Sequence, residues 1–122
     1  MKYAILIYGS LEARQAWQDS AEDHKAAGLQ AYADLNHDLS ESGELVTTEA
    51  LADPSLTRHV TIRDGQTVTG DGPYAEVKEL LAGFYVVDCD SIERAVEIAG
   101  RIPELASGRI EVRPVMTYSE LE

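Results

Sequence analysis

The chain has 122 residues, 22 of them acidic and 10 basic, for a formal charge of −12. That length sets an expectation of a single domain over residues 1–122, burying about two-thirds of its unfolded surface. The charge argues against contact with nucleic-acid phosphates or an anionic membrane surface. The lone cysteine, Cys89, excludes an internal disulfide and a cysteine-rich zinc site, which fits a reducing, cytoplasmic compartment. The first apolar run, from Tyr3 to Tyr8, is too short for a signal-peptide core or a membrane span.

Lys2 to Tyr8 is rich in β-formers and bounded by Gly9-Ser10, so it reads as a strand buried on both faces. From about Ser20 to Ser42 the period changes: Leu29, Tyr32, Leu35 and Leu39 recur at helical spacing among acidic residues, and Gly43 is placed to stop the helix. Glu44 to Leu51 reads as a second strand. After Asp53-Pro54-Ser55 breaks the chain, Thr57 to Arg63 and Gln66 to Thr69 flank Asp64-Gly65, a strong hairpin signal. Leu81 to Asp88 reads as another strand. A second helix opens at Asp90-Ser91-Ile92-Glu93 with Asp90 as its cap; Ile92, Val96, Ala99 and Ile102 form its stripe, and Pro103 ends it. Ile110 to Met116 is the last strand, and the tail from Ser119 is expected to fray. The order β-α-β, hairpin, β-α-β predicts an α+β, ferredoxin-like fold with an inserted β-hairpin.

Two helical stripes cover one face of a four-stranded sheet, yet the strands are apolar on both faces. Ala4, Leu6 and Tyr8 oppose Tyr3, Ile5 and Ile7, and Phe84 and Val86 oppose Tyr85 and Val87. The second face requires a cover, and a homodimer packed sheet to sheet, a dimeric α+β barrel, supplies it.

The run Asp71-Gly72-Pro73-Tyr74-Ala75-Glu76-Val77-Lys78-Glu79 joins a rigid turn and a charged cluster to the interior strand that starts at Leu80-Leu81. It resembles the signature of the YCII-related family in its D-G-P-F-A-E-T-K-E branch, with Tyr74 for Phe and Val77 for Thr. The opening Met1 to Tyr8, the stretch Thr61 to Gly65, Arg101-Ile102-Pro103 and Ile110 to Val115 are similar to that branch in the same order. The resemblance implies a ferredoxin-like domain that pairs into a dimer, and small-molecule binding or catalysis without a defined reaction. Proteins of the other branch carry a helix-one histidine paired with an aspartate as a catalytic pair. The matching position here is Tyr32, a departure that removes that pair.

Glu76, Lys78 and Glu79 have two readings. If the segment is helical, Glu76 and Glu79 share a face; if it is extended, Glu76 and Lys78 do, with one glutamate as general base and Lys78 as anchor for an anionic substrate. The alternative is a salt-bridge network that pins the turn. Of the histidines, His24 and His37 read as solvated helix residues, and His59, beside Arg58 on the hairpin, either closes over a cleft as a catalytic candidate or is an ordinary cross-strand partner. Asp71 is a turn former whose carboxylate is also a candidate ligand contact. Tyr8 and Tyr85 lie on central strands, where a buried hydroxyl needs a partner, so they either line a ligand pocket or are core residues with a tethered tip, and Arg113 is either paired at an interface or aimed at an anionic ligand. Cys89 reads as inert packing.

No metal motif, phosphate cradle or nucleotide fingerprint is present in the sequence, so no metal and no cofactor are expected. Together these features predict a cofactor-free homodimer that binds a small organic molecule, with lyase or isomerase chemistry built on a carboxylate and Lys78. The alternatives are a ligand sensor or a regulatory protein acting through protein contacts; the resemblance links the latter to extracytoplasmic-function sigma factors.

Overall fold

The computed structural model describes residues 1–75 and 77–121. Strand β1 (Lys2–Gly9) leads into helix α1 (Leu11–Gln18), then α2 (Glu22–Ser42) and β2 (Leu45–Ala50). A ribbon of β3 (Arg58–Arg63) and β4 (Gln66–Asp71) follows. The chain then returns through β5 (Leu80–Asp88), α3 (Ile92–Ala99) and β6 (Arg109–Pro114). The main sheet has the order β2-β5-β1-β6, with every neighbouring pair antiparallel, and β3-β4 form a separate two-stranded sheet. The fold is α+β. Among the described residues no helix is long and apolar enough to cross a membrane.

The alternation of β1 and β5 divides the sheet into two unlike faces. Tyr3, Ile5, Ile7, Tyr85 and Val87 are buried under the helices with Leu35 and Leu39 of α2 and Ala95, Ile98 and Ala99 of α3. The register pairs Ala4 with Val86 and Leu6 with Phe84 on the opposite face, where all four are only partly covered. At Ile7/Tyr8 the β1–β5 register shifts by one residue. This bulge at Ala82 sets Leu81 beside Tyr8 on the open face, where strict alternation would have turned it inward.

Local chemistry explains the element ends. Gly43 adopts the left-handed conformation (φ 79°) that closes α2, while the Glu44 amide donates to the Leu39 carbonyl at 3.0 Å, a Schellman-type ending. In the ribbon turn both Asp64 (φ 53°) and Gly65 (φ 76°) have positive φ, the geometry a two-residue hairpin requires.

Several expectations are corrected. α1 was not anticipated: the Ser10 hydroxyl accepts the Ala13 amide at 3.0 Å and starts it, and a run of good helix formers continues it. α3 is capped by Ser91, not Asp90, through the Arg94 amide at 3.2 Å. Of the expected stripe Ala99 and Ile102 are buried, but Ile92 and Val96 are exposed and Ala95 and Ile98 take their place. In α2, Leu29 is exposed and lies outside the core cluster.

Candidate functional site

β1 and β5 end side by side, with Gly9 opposite Leu80, so the residues that follow β1 meet those that precede β5. An open depression of about 350 Å³ lies there, lined by Ser10, Leu11, Glu12, Val77 and Lys78. The end of the signature segment thus borders the start of α1, an encounter invisible while α1 was unread. Lys78 is exposed at this depression, and Glu76 lies outside the described residues.

Beside the depression, on the open sheet face, the register puts Tyr8 opposite Arg109, Leu6 opposite Glu111 and Ala4 opposite Arg113. Glu79 reaches across to Arg109, whose Nε donates at 2.8 Å. Burial, then the adjacent Glu111 carboxylate, push the Tyr8 hydroxyl above the ordinary phenol range; Glu79 adds to the rise and Arg113 opposes it. Tyr8 is therefore a protonated donor at neutral pH, flanked by carboxylate acceptors and guanidinium groups. Such a set can hold an anionic, hydrogen-bonding ligand and move a proton on it.

Tyr8, Glu79 and Arg113 thus come together, with Lys78 at the adjoining depression. Tyr85, His59 and Asp71 are elsewhere. Tyr85 is on the helix side of the sheet, 1% exposed, with its hydroxyl donating to Asn36 Oδ1. Burial raises its pKa against the hydrogen bonds with Thr48 and Asn36. His59 lies in the ribbon opposite Gly70, and its ring covers that glycine so closely that a Cβ there would clash with Nε2. Its Nδ1 lies 2.9 Å from the Gly72 carbonyl, an acceptor, so Nδ1 carries the proton. Its ring stacks on Tyr74 with centroids 4.6 Å apart. Asp71 ends β4 opposite Arg58, at the base of the ribbon. His24 and His37 are both exposed on α2.

Sequence reasoning passed over Arg109 and gave Glu111 no role of its own. Their signal was the alternation of β6, which places Arg109, Glu111 and Arg113 on one face and Ile110 and Val112 on the other. It also passed over a second polar cluster, on the helix side, where Tyr32 donates its hydroxyl to Glu104. Burial pushes the Glu104 carboxyl above the usual range. Tyr32 and Asn36, which accepts from the Tyr85 hydroxyl, lie one helical turn apart on α2, and both phenol hydroxyls are satisfied by protein partners, so these contacts tie α2 to the sheet and to the turn at Pro103–Ala106. Among the described residues no group of three His, Cys, Asp or Glu side chains could hold a metal ion.

The sequence model of the YCII-related domain matches residues 1–119. An uncharacterized protein of Rhizobium meliloti (strain 1021) is 31% identical over 120 residues, covering 97% of this chain and 94% of that relative. With the family model spanning nearly the whole chain and a relative aligned almost end to end, the chain belongs to the YCII-related family.

Proposed function

We propose that this chain is a small-molecule-binding protein whose ligand is a small organic acid, held on the open sheet face along β1 and β6 by Arg113, Glu111 and Tyr8, with Lys78 at the depression beyond Tyr8. The observation that carries this reading is the clustering of Tyr8, Glu79, Arg109, Glu111 and Arg113 on the sheet face that no helix covers. A neutral phenol between carboxylates and cations can donate a hydrogen bond to an anionic oxygen of the ligand, and the flanking carboxylates are the candidate bases for cofactor-free lyase or isomerase chemistry. The strand order β2-β5-β1-β6, with an α-helical crossover in each half, supports a ferredoxin-like reading. The apolar residues Ala4, Leu6, Phe84 and Val86 on the open face support a homodimer that packs sheet to sheet and encloses the site.

The test is thermal unfolding of wild type and Arg113→Gln against a panel of small mono- and dicarboxylates. At least one acid is expected to raise the wild-type melting temperature and to leave that of Arg113→Gln unchanged. An equal rise in both proteins, or no rise with any acid, would contradict the proposal.

A further inference from the structure

The strip of open sheet between β1 and β6 has unlike ends. Along it Ala4 faces Arg113, Leu6 faces Glu111 and Tyr8 faces Arg109. Arg109 is engaged by Glu79 at 2.8 Å, whereas Arg113 has no ion pair among the described residues. At the other end, two carboxylates, Glu111 and Glu79, act on the Tyr8 phenol. One end therefore attracts an anion and the other repels one. Between them the β1 side is apolar, with Ala4 and Leu6 only partly covered. The strand rise of about 3.3 Å per residue sets the Arg113 and Tyr8 positions roughly 13 Å apart at the backbone. β6 is the edge strand, so the strip is reached from the rim of the sheet even where the middle of the face is covered.

We propose that the ligand is a monocarboxylic acid with a ring-sized apolar body and a neutral oxygen at its far end. Its carboxylate lies on Arg113, its body over Ala4 and Leu6, and its far oxygen accepts from the Tyr8 hydroxyl. The inference rests on the ligand site proposed above and narrows what that site takes. A compact acid seated on Arg113 does not extend to Tyr8 and leaves Leu6 wet. A diacid of the right length brings its second carboxylate to Glu111 and Glu79, where like charge opposes it. A neutral oxygen there meets a donor and no repulsion.

The experiment is NMR titration of the chain with four probes: acetate, phenylacetate, 4-hydroxyphenylacetate and 1,4-phenylenediacetate. 4-Hydroxyphenylacetate is expected to bind tightest, about tenfold or more above acetate, the scale of partly burying a ring. Tyr8→Phe is expected to abolish its advantage over phenylacetate and to keep the preference of both for the site over acetate. Leu6→Thr, a strand former with less apolar surface, is expected to shrink that preference, each variant being compared once its circular dichroism matches wild type. Acetate binding as tightly as 4-hydroxyphenylacetate, the diacid doing so because Lys78 recruits its second carboxylate, or a hydroxyl preference that survives in Tyr8→Phe overturns this ligand class. If Arg113→Gln still abolishes binding in those cases, the acid site itself stands. No saturable binding of any probe, or binding untouched by Arg113→Gln, overturns the class and the site together.

Discussion

At the scale of single residues, the clearest dependence is between Gly70 and His59. A methyl group at position 70 meets the imidazole of its cross-strand neighbour, so Gly70→Ala must displace the ring from the Gly72 carbonyl and from Tyr74. The expected cost is about 1–3 kcal/mol of local ribbon stability, read as faster hydrogen exchange of the β3–β4 amides. In a His59→Ala background Gly70→Ala should be nearly neutral, and an undiminished effect there would contradict the packing account.

Two carboxyl groups on the helix side make opposite predictions for pH. Glu44 accepts two guanidinium bonds from Arg94, each 2.9 Å long, and these hold its pKa at about 2. Its contribution is present above the unfolded value and lost as pH falls toward 2, so Arg94→Gln should cost about 1 kcal/mol at pH 7 and progressively less in acid. Glu104 runs the other way. Its folded pKa is raised, so stability falls as pH climbs from the unfolded value through the folded one. Glu104→Gln keeps an acceptor for Tyr32 and removes the ionisation, so its melting temperature should equal or exceed that of wild type at pH 7, with the difference vanishing near pH 4. A variant less stable than wild type at pH 7, with the gap closing in acid, would show that the ionised carboxylate stabilises the fold.

At the scale of elements, most of the fold was legible where a physical signal was local. The Asp64-Gly65 pair announces a two-residue turn because both positions need positive φ, and Gly43 announces the end of α2 for the same reason. α1 was overlooked because its only polar signature is the Ser10 cap, and an eight-residue helix with no buried residue shows no apolar stripe. Ser10→Ala should therefore cost about 1 kcal/mol, measurable by urea denaturation, and an unchanged midpoint would mean that tertiary contacts hold α1 without its cap. The α3 stripe was misphased for a related reason. Reading Asp90 as the cap favoured Ile92 and Val96, whereas the helix is capped at Ser91 and buries Ala95 and Ile98 instead. The site was legible only in pieces. Tyr8, Glu79 and Arg113 stood out singly, but their convergence depends on β6 pairing with β1 and on the bulge at Ala82, long-range features that no local pattern encodes. The Tyr32–Glu104 contact spans 72 positions and had no sequence signal at all.

At the scale of the whole molecule, the chain carries two unlike surfaces. One side of the sheet is closed by helices whose polar contacts are internally satisfied. The other side combines partly covered apolar strands with charged residues along β6, and a depression bordered by the signature segment lies at one end. This asymmetry is the basis of the ligand site proposed above. Two-dimensional NMR of the 15N-labelled chain, titrated with small mono- and dicarboxylates, tests that site most directly. The account predicts saturable shifts concentrated on amides at the end of β1, the start of β5 and along β6, around Gly9, Leu80 and Glu111. Shifts centred on α2 and Glu104, or no saturable shift with any acid, would contradict it.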